Sequence, residues 1–499
     1  MRRRSSILLI LVVVISIGLQ LWAASRQSFW EDEAFTAIFA SRGPAEVAKV
    51  VDWDVHPPLY LYLAAYWGQI YGYQELGLRF LSILFSEFAL FLTYLLATDL
   101  LGKKTGLCAA ILLAFSPLFL MFGHNARYYS LSAVFALLVI YSMWLYVKYG
   151  KIRYLLLYIA SSILFLYLLF AAAVVLVACN LWYLWGWRLK ENRSGRSLLF
   201  WALAQLLVLA AYYPGFQSLL NLVQRTAEVA SVSNWLVEFI KRFIYTGYVF
   251  GLGETLSPLN PLAWIGGIIF IGTGLYAIKS QRHNHDFWLP VFIVFIVILS
   301  GLLVSVNAAV SSTWQNLPVR AFYVLPFLAI WLGAGLVALK PRWMAVAGAL
   351  IAIVYAAGIY NYFSGAQYLR PIFSVPWRTV FQDIQSQARP GSVVVCGPGD
   401  SACGYYSELF GFGAPSASSL QNQSGNPVPE VWWIKIYLSR IFQGKDDEQA
   451  ILDQLARQYG AVSTHGYGQQ DPSLRQLKSR FLGQDNYEYR VVIYRFYNP

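Results

Sequence analysis

Three adjacent carboxylates, Glu31, Asp32 and Glu33, stand directly after the first apolar run of the chain. Cationic and aromatic groups recur behind them at wide intervals. The first set is Asp52-Trp53-Asp54-Val55-His56-Pro57-Pro58-Leu59-Tyr60. Gly77-Leu78-Arg79-Phe80 follows, then Gly123-His124-Asn125-Ala126-Arg127-Tyr128-Tyr129. A carboxylate can take the proton of an attacking hydroxyl. A guanidinium binds phosphate through charge-assisted hydrogen bonds. Charged groups at the edge of an apolar segment are costly unless they pair or work. Acids set against cations at headgroup depth suit a phosphate-bearing lipid and a proton acceptor. The plain alternative for the acids alone is a solvated helix end.

The elements that must position these residues are membrane helices. Hydrophobic residues make up 58% of the 499 positions and charged residues only 12%, against about 25% charge in an ordinary soluble chain. Mean hydropathy is +0.51. Such a chain cannot dress a water-facing surface, which excludes a soluble protein. The net charge of +12 does not indicate nucleic acid. Many of the cations lie in short loops between apolar runs, as topology signals or contacts for anionic membrane lipid. The 18 Trp and 34 Tyr suit the membrane interfaces, where the ring is buried and the polar tip stays wet.

A spanning helix takes about 20 mostly apolar residues. Eleven segments qualify: 6–24, 78–101, 106–122, 128–148, 153–170, 171–188, 197–213, 259–279, 287–306, 320–338 and 343–363. No polar break separates 153–170 from 171–188, so a tight hairpin is required around Ala171–Ala173. With the N-terminus cytoplasmic, the inside segments hold sixteen Lys/Arg against two acids, Glu191 and Asp286. The outside loops, taken with Arg79 and Arg320 at their edges, hold nine against ten. This is the bias of the positive-inside rule. It puts the three acids, His56, Arg79 and Arg127 on one side of the membrane, and this weighs against a merely solvated helix end. Met1-Arg-Arg-Arg before Ile7–Trp22, with Ala23-Ala24-Ser25 behind, also has the parts of a signal peptide. The run is long for one, and it reads as a retained first helix.

Two domains are expected: a membrane domain, 1–363, and an exterior domain, 364–499. The exterior loops 25–77 and 214–258 carry stretches that read as interfacial amphipathic helices, Leu59–Tyr71 and Trp235–Phe250. In the tail, Ser392–Cys396 and Tyr489–Tyr494 read as strands, and Val431–Phe442 and Glu448–Tyr459 as helices. A small α/β domain follows. Cys108 and Cys179 lie in apolar runs as core residues. Cys396 and Cys403 have a spacing that admits a disulfide in an oxidising compartment. There is no CxxC or His/Cys cluster of a structural zinc site. Glu87, inside the second span, is expected to pair within the bundle, with a role along a lipid groove as the alternative.

These motifs, in this order, resemble the GT-C glycosyltransferases, in the protein O-mannosyltransferase-like branch that includes the lipid A aminoarabinose transferases. The resemblance rests on Asp32-Glu33 after helix one, His56-Pro-Pro-Leu-Tyr60, Leu78-Arg79, Ala126-Arg-x-Tyr-x-Leu131 and Arg320-x-x-x-x-Leu-Pro326. It implies a polytopic α-helical membrane fold of about eleven helices with a C-terminal α/β exterior domain. It also implies an inverting transferase in the inner (plasma) membrane, its tail periplasmic or extracellular. The sugar would pass from a polyprenyl-phosphate carrier to an acceptor hydroxyl or phosphate on the exterior face. Asp32 is then the catalytic base and Glu33 supports the loop or the acceptor. His56, Arg79, Arg127, Tyr128 and Arg320 hold the donor phosphate or substrate.

The chemistry agrees with that assignment. Displacement at an anomeric carbon needs a carboxylate to take the acceptor proton. An inverting glycosidase needs a second carboxyl to protonate the leaving oxygen. A phosphate leaves as an anion, so cations can replace that acid. Asp32, Glu33, His56, Arg79 and Arg127 are expected to line one outward-facing cavity. The sequence departs from the pattern in its third acid, Glu31, and in Gly123-His124-Asn125, where many relatives carry Gln or Glu. His124 beside the acids admits a divalent metal. No other cofactor is implied.

The alternative is a transporter or flippase of lipid-linked saccharides. That class tends to place ionisable groups near the midplane and to show related halves. Here they lie at one face, and no internal repeat is visible. A membrane scaffold would leave the acids without a role. The sugar stays open, as does the acceptor: glycan, lipid or protein. The threading predicts that a cysteine reporter placed after residue 364 reacts with an impermeant thiol reagent from the exterior. Exclusive labelling from the cytoplasm would overturn it.

Overall fold

The computed structural model describes residues 2–50, 56–189, 195–226, 234–307, 317–367, 369, 375–397, 401–413, 428–437, 447–482 and 488–498. Asp52 and Asp54 lie outside the described residues. The membrane part begins with α1 (Arg2–Arg26), α2 (Glu31–Ser41), α3 (Pro44–Val50), α4 (Leu59–Tyr71) and α5 (Glu75–Leu101). It continues with α6 (Lys103–Ala114), α7 (Pro117–Gly123), α8 (Tyr129–Tyr149), α9 (Ile152–Leu166), α10 (Ala172–Leu189), α11 (Gly195–Thr226) and α12 (Trp235–Leu252). It ends with α13 (Pro261–Gln281), α14 (Trp288–Asn307), α15 (Leu317–Arg320), α16 (Leu325–Ala338) and α17 (Pro341–Ser364).

Among the described residues, seven helices are long and apolar enough to cross a membrane, and the bent pair α6–α7 makes up to eight. Their outward faces are apolar: Ile268, Ile271 and Leu275 of α13 are all more than 60% exposed at helical spacing. Such a stripe is stable only against lipid.

The eleven expected segments all fall on helical stretches, with three differences of shape. Segment 106–122 is not straight. It breaks at Phe115–Ser116, and α7 leaves α6 at 63°. Pro117 has no N–H to donate and holds Ser116 extended, at φ −62° and ψ 125°, so the α6 helix cannot continue through it. Two glycines admit this wedge. A Cβ on Gly253 would lie 2.8 Å from Pro117 Cβ, and one on Gly358 would lie 2.9 Å from Pro117 Cγ. The hairpin between α9 and α10 occupies Tyr167–Ala171, just ahead of the expected position. The Tyr167 carbonyl there accepts from Leu59 N at 3.2 Å, tying the hairpin to α4. Segment 320–338 opens with the single turn α15 and a 3₁₀ turn, Phe322–Val324, before α16.

The tail contains α18 (Trp377–Gln387), β1 (Val393–Cys396), α19 (Ser401–Leu409), β2 (Glu430–Ile436), α20 (Asp447–Gln458), β3 (Ala461–Tyr467), α21 (Pro472–Leu482) and β4 (Val491–Tyr497). The sheet order is β1-β2-β4-β3. β2 is parallel to β1 and antiparallel to β4. The helix expected over Val431–Phe442 is therefore a strand as far as Ile436. Val431-Trp432-Trp433-Ile434 is a run of β-branched and aromatic residues that fits a buried central strand. Residues 438–442 lie outside the described residues. Cys396 and Cys403 are bonded, with Cα atoms 5.9 Å apart. The bond ties the first turn of α19 to the end of β1, and α19 in turn lies against α2.

Candidate active site

The three acids begin α2, where carboxylates favour the positive end of the helix dipole. Successive residues turn by about 100° around a helix, so neighbours face different surroundings. Glu33 faces inward and is fully buried. Its carboxylate meets Arg79 Nε at 2.8 Å and Nη2 at 2.5 Å. It also accepts the Ala126 N–H at 2.8 Å. Arg79 spends its remaining N–H groups on carbonyls: Ala24 at 3.0 Å, Gln27 at 2.6 Å and Ser28 at 3.0 Å. All five guanidinium donors are thus engaged, and Arg79 is 1% exposed.

Arg79 has no donor left for a phosphate, against expectation, and Glu33 sits as a support of the loop and not of the acceptor, with no surface toward a substrate. Both are scaffold, joining α1, α2, α5 and the loop after α7.

Asp32 points the other way, with its side chain 39% exposed, 3.8 Å from Arg127 Nη2. Arg127 is held by Thr36 Oγ1 at 3.3 Å and lies over the Phe35 and Tyr128 rings, at 5.9 and 5.8 Å. The Thr36 hydroxyl donates to the Asp32 carbonyl at 3.1 Å. Tyr128 Oη is 3.3 Å from His56 Nε2, and the two rings are 5.0 Å apart. The Tyr129 phenol lies within electrostatic reach of Asp32, Arg127 and Arg320. Arg320 is exposed at the end of α15. Asp32, His56, Arg127, Tyr128 and Arg320 therefore collect from four distant parts of the sequence.

His124 does not join them. Its Nδ1 donates to the Leu120 carbonyl at 2.8 Å, and Nε2 faces Tyr362 Oη at 3.3 Å. Burial, with the Arg79 charge beside it, pushes the imidazole down to about 3, so it stays neutral. Nδ1 is committed to the Leu120 carbonyl, and Nε2 faces a buried phenol that itself donates to Gln27 Oε1 at 2.8 Å. Among the described residues no group of three or more His, Cys, Asp or Glu is placed to hold a metal.

A cavity of about 650 Å³ opens nearby, between Ala24–Gln27, Tyr71–Gly77, Phe80 and Arg378. Its walls include two of the carbonyl residues that hold Arg79, but neither Asp32 nor Arg127. None of the five residues expected to share one cavity lines this one, and they divide into the buried pair Glu33–Arg79 and the more open set of Asp32, Arg127 and His56. Sequence reasoning also missed Glu75, Tyr406 and Arg378, which brace the site from outside. Glu75 stood in view one helical turn before Arg79; the tail residues gave no local signal.

Residues 55–215 match the family model of dolichyl-phosphate-mannose-protein mannosyltransferases. An uncharacterized protein of Aquifex aeolicus is 36% identical over 94 residues, a match spanning 19% of this chain and 18% of that relative. ArnT from Cupriavidus metallidurans in the apo state superposes with a TM-score of 0.60 at 13% identity, over 97% of both chains. ArnT bound to undecaprenyl phosphate gives 0.54 at 14%, again over 97% of both. The arabinofuranosyltransferase AftD from Mycobacteria gives 0.51 at 12%, over 98% of this chain and 40% of that one. The chain thus shares the fold of ArnT over nearly its whole length.

The tight pair and the loose pair should differ in what substitution does to stability. Arg79→Met leaves Glu33 buried and unpaired, which is expected to cost about 3–5 kcal/mol. Asp32→Asn should change stability by no more than about 0.5 kcal/mol. Thermal unfolding in detergent reads both, and an unchanged midpoint in Arg79→Met would refute the scaffold role.

Proposed function

We propose that this chain moves a sugar from a polyprenyl-phosphate carrier to an acceptor hydroxyl or phosphate at the exterior face of the cell (inner) membrane, inverting the anomeric carbon. The observation that carries the reading is the loose pair of Asp32 and Arg127, 3.8 Å apart. It is a half-exposed carboxylate beside a guanidinium, at the end of the first membrane helix. With a hydroxyl acceptor, the oxygen attacks the anomeric carbon and its proton passes to Asp32. The bond from that carbon to the phosphate oxygen breaks, and its electron pair leaves with the polyprenyl phosphate. An acceptor phosphate attacks already ionised. Arg127 and Arg320 stabilise the charge that develops on the leaving phosphate. His56, held by Tyr128, adds a hydrogen bond to the same group. Glu33 and Arg79 fix the helix that carries the base.

The inside-basic charge bias supports a cytoplasmic N-terminus and an exterior tail. The fold and the matched mannosyltransferase family support a transferase over a flippase. A chemistry-bearing cluster at one end of the bundle agrees with that choice, because transport requires a site reachable from both faces.

Asp32→Asn keeps the shape of the base but cannot take the proton. Transfer from a polyprenyl-phosphate sugar by the purified protein should fall about 10²–10⁴-fold, with donor binding retained. Arg127→Ala should weaken donor binding as well as turnover, because a charge-assisted phosphate contact serves both states. Full activity in Asp32→Asn would shift the base to Glu31.

A further inference from the structure

The elbow between α1 and α2, Gln27–Trp30, decides where Asp32 points. It lies outside any helix, so its buried N–H groups need partners from elsewhere. The N–H of Phe29, a fully buried residue, donates to Tyr406 Oη of α19 at 2.7 Å, across 377 positions of sequence. The same hydroxyl donates to Glu75 Oε1 at 2.5 Å. Glu75 is the first residue of α5, one turn before Arg79. Arg378 grips the Glu75 carboxylate through two bonds, at 2.8 and 2.5 Å. The Arg378 backbone N–H donates to Ser28 Oγ at 3.0 Å.

Charge states reinforce the arrangement. Arg378 and Tyr406 both donate to Glu75, which favours its carboxylate form. Burial, then the Glu75 charge, pushes the Tyr406 phenol up. At neutral pH Glu75 is a carboxylate and Tyr406 a donor.

We propose that Tyr406, from the exterior domain, is a positioning residue of the active site. It joins the Phe29 amide to Glu75, fixing α2 against α5 and so setting Asp32 relative to Arg127. This rests on the transferase reading of Asp32. Removing the hydroxyl leaves a buried N–H without its acceptor and a buried carboxylate short of a donor. The Arg79–Glu33 pair stays intact, so the bundle keeps its fold while α2 gains freedom at its elbow. Misplacement of a catalytic group by about 1 Å can cost about 10²-fold in rate.

The test compares Tyr406→Phe with Tyr459→Phe in the full chain in detergent. Tyr459 packs with Val431, Trp433 and Phe496 of the same domain, a cluster that does not include Tyr406 or Phe29, and its hydroxyl donates to the Val428 carbonyl at 2.9 Å. Hydrogen exchange over residues 27–36 and steady-state transfer kinetics are measured on both. In Tyr406→Phe the elbow amides should exchange at least about tenfold faster. Its kcat should fall about 10- to 100-fold, with KM for the donor within about threefold. Tyr459→Phe should leave both readouts at wild-type values. Tyr406→Phe should cost less in a Glu75→Gln background than alone, because the two share one contact.

Elbow protection and kcat within twofold of wild type in Tyr406→Phe would overturn the proposal. So would an equal loss in Tyr459→Phe, which would make the effect one of domain stability. If the wild-type protein transfers no sugar, the transferase reading fails, and the exchange measurement still decides whether Tyr406 holds the elbow.

Discussion

A guanidinium buried where a membrane helix ends is the constraint on which the site depends. Removing two opposite charges from water is expensive, and their attraction offsets that only when the remaining donors are also satisfied. Arg79 meets the condition by facing Glu33 on one side and three carbonyls, those of Ala24, Gln27 and Ser28, on the other. The carbonyls of a helix's last turn have no partner within the helix. Arg79 therefore closes the C-terminal end of α1, where a cation also favours the dipole. The chain must leave helical geometry at Gln27 for this to work, and that departure creates the elbow from which α2 starts in a new direction.

Much of the surrounding architecture follows. Glu33, fixed by Arg79, accepts the Ala126 N–H, so the loop carrying Arg127 hangs from the same pair. That loop reaches Glu33 because α7 turns away from α6 at Pro117. From outside, Glu75 on α5 is joined to the elbow through Tyr406 and Arg378. Asp32, Arg127 and the C-terminal domain are thus referred to one buried charge pair.

The hydrophobic pattern made the membrane helices legible, because contact with lipid imposes long apolar runs that neighbours in sequence reveal. The order of Asp32, His56, Arg127 and Arg320 was legible as a resemblance, and the structure gathers those residues. The division of labour among them was not. Glu33 and Asp32 are adjacent acids, and only the identity of what faces each one separates the buried, chelated carboxylate from the half-exposed one. Arg79 and Arg127 are equally cationic in sequence, yet one has every donor occupied. The break at Ser116–Pro117 was written in the sequence but was overridden by the apolar count. β2 was misread because a short apolar run fits a buried strand as well as a helix. Tyr406 could not be found, since a hydrogen bond spanning 377 positions leaves no local trace.

The two Arg–carboxylate pairs use the same residue types to opposite ends, and geometry is what separates them. Glu33 is bound two-fold by Arg79 at 2.8 and 2.5 Å. Its lone pairs are committed and it is sealed from water, so it cannot take a proton from a substrate. Asp32 and Arg127 stand 3.8 Å apart, beyond hydrogen-bond reach. Arg127 is steadied by Thr36 and by the faces of Phe35 and Tyr128, contacts that do not occupy the Asp32 carboxylate. A carboxylate left unchelated can accept a proton. The same charge-assisted bonds made by Asp32 would leave its carboxylate unable to take a proton. The separation of one tight pair from one loose pair, on adjacent residues of a single helical turn, lets the same segment be rigid while one of its carboxylates stays open.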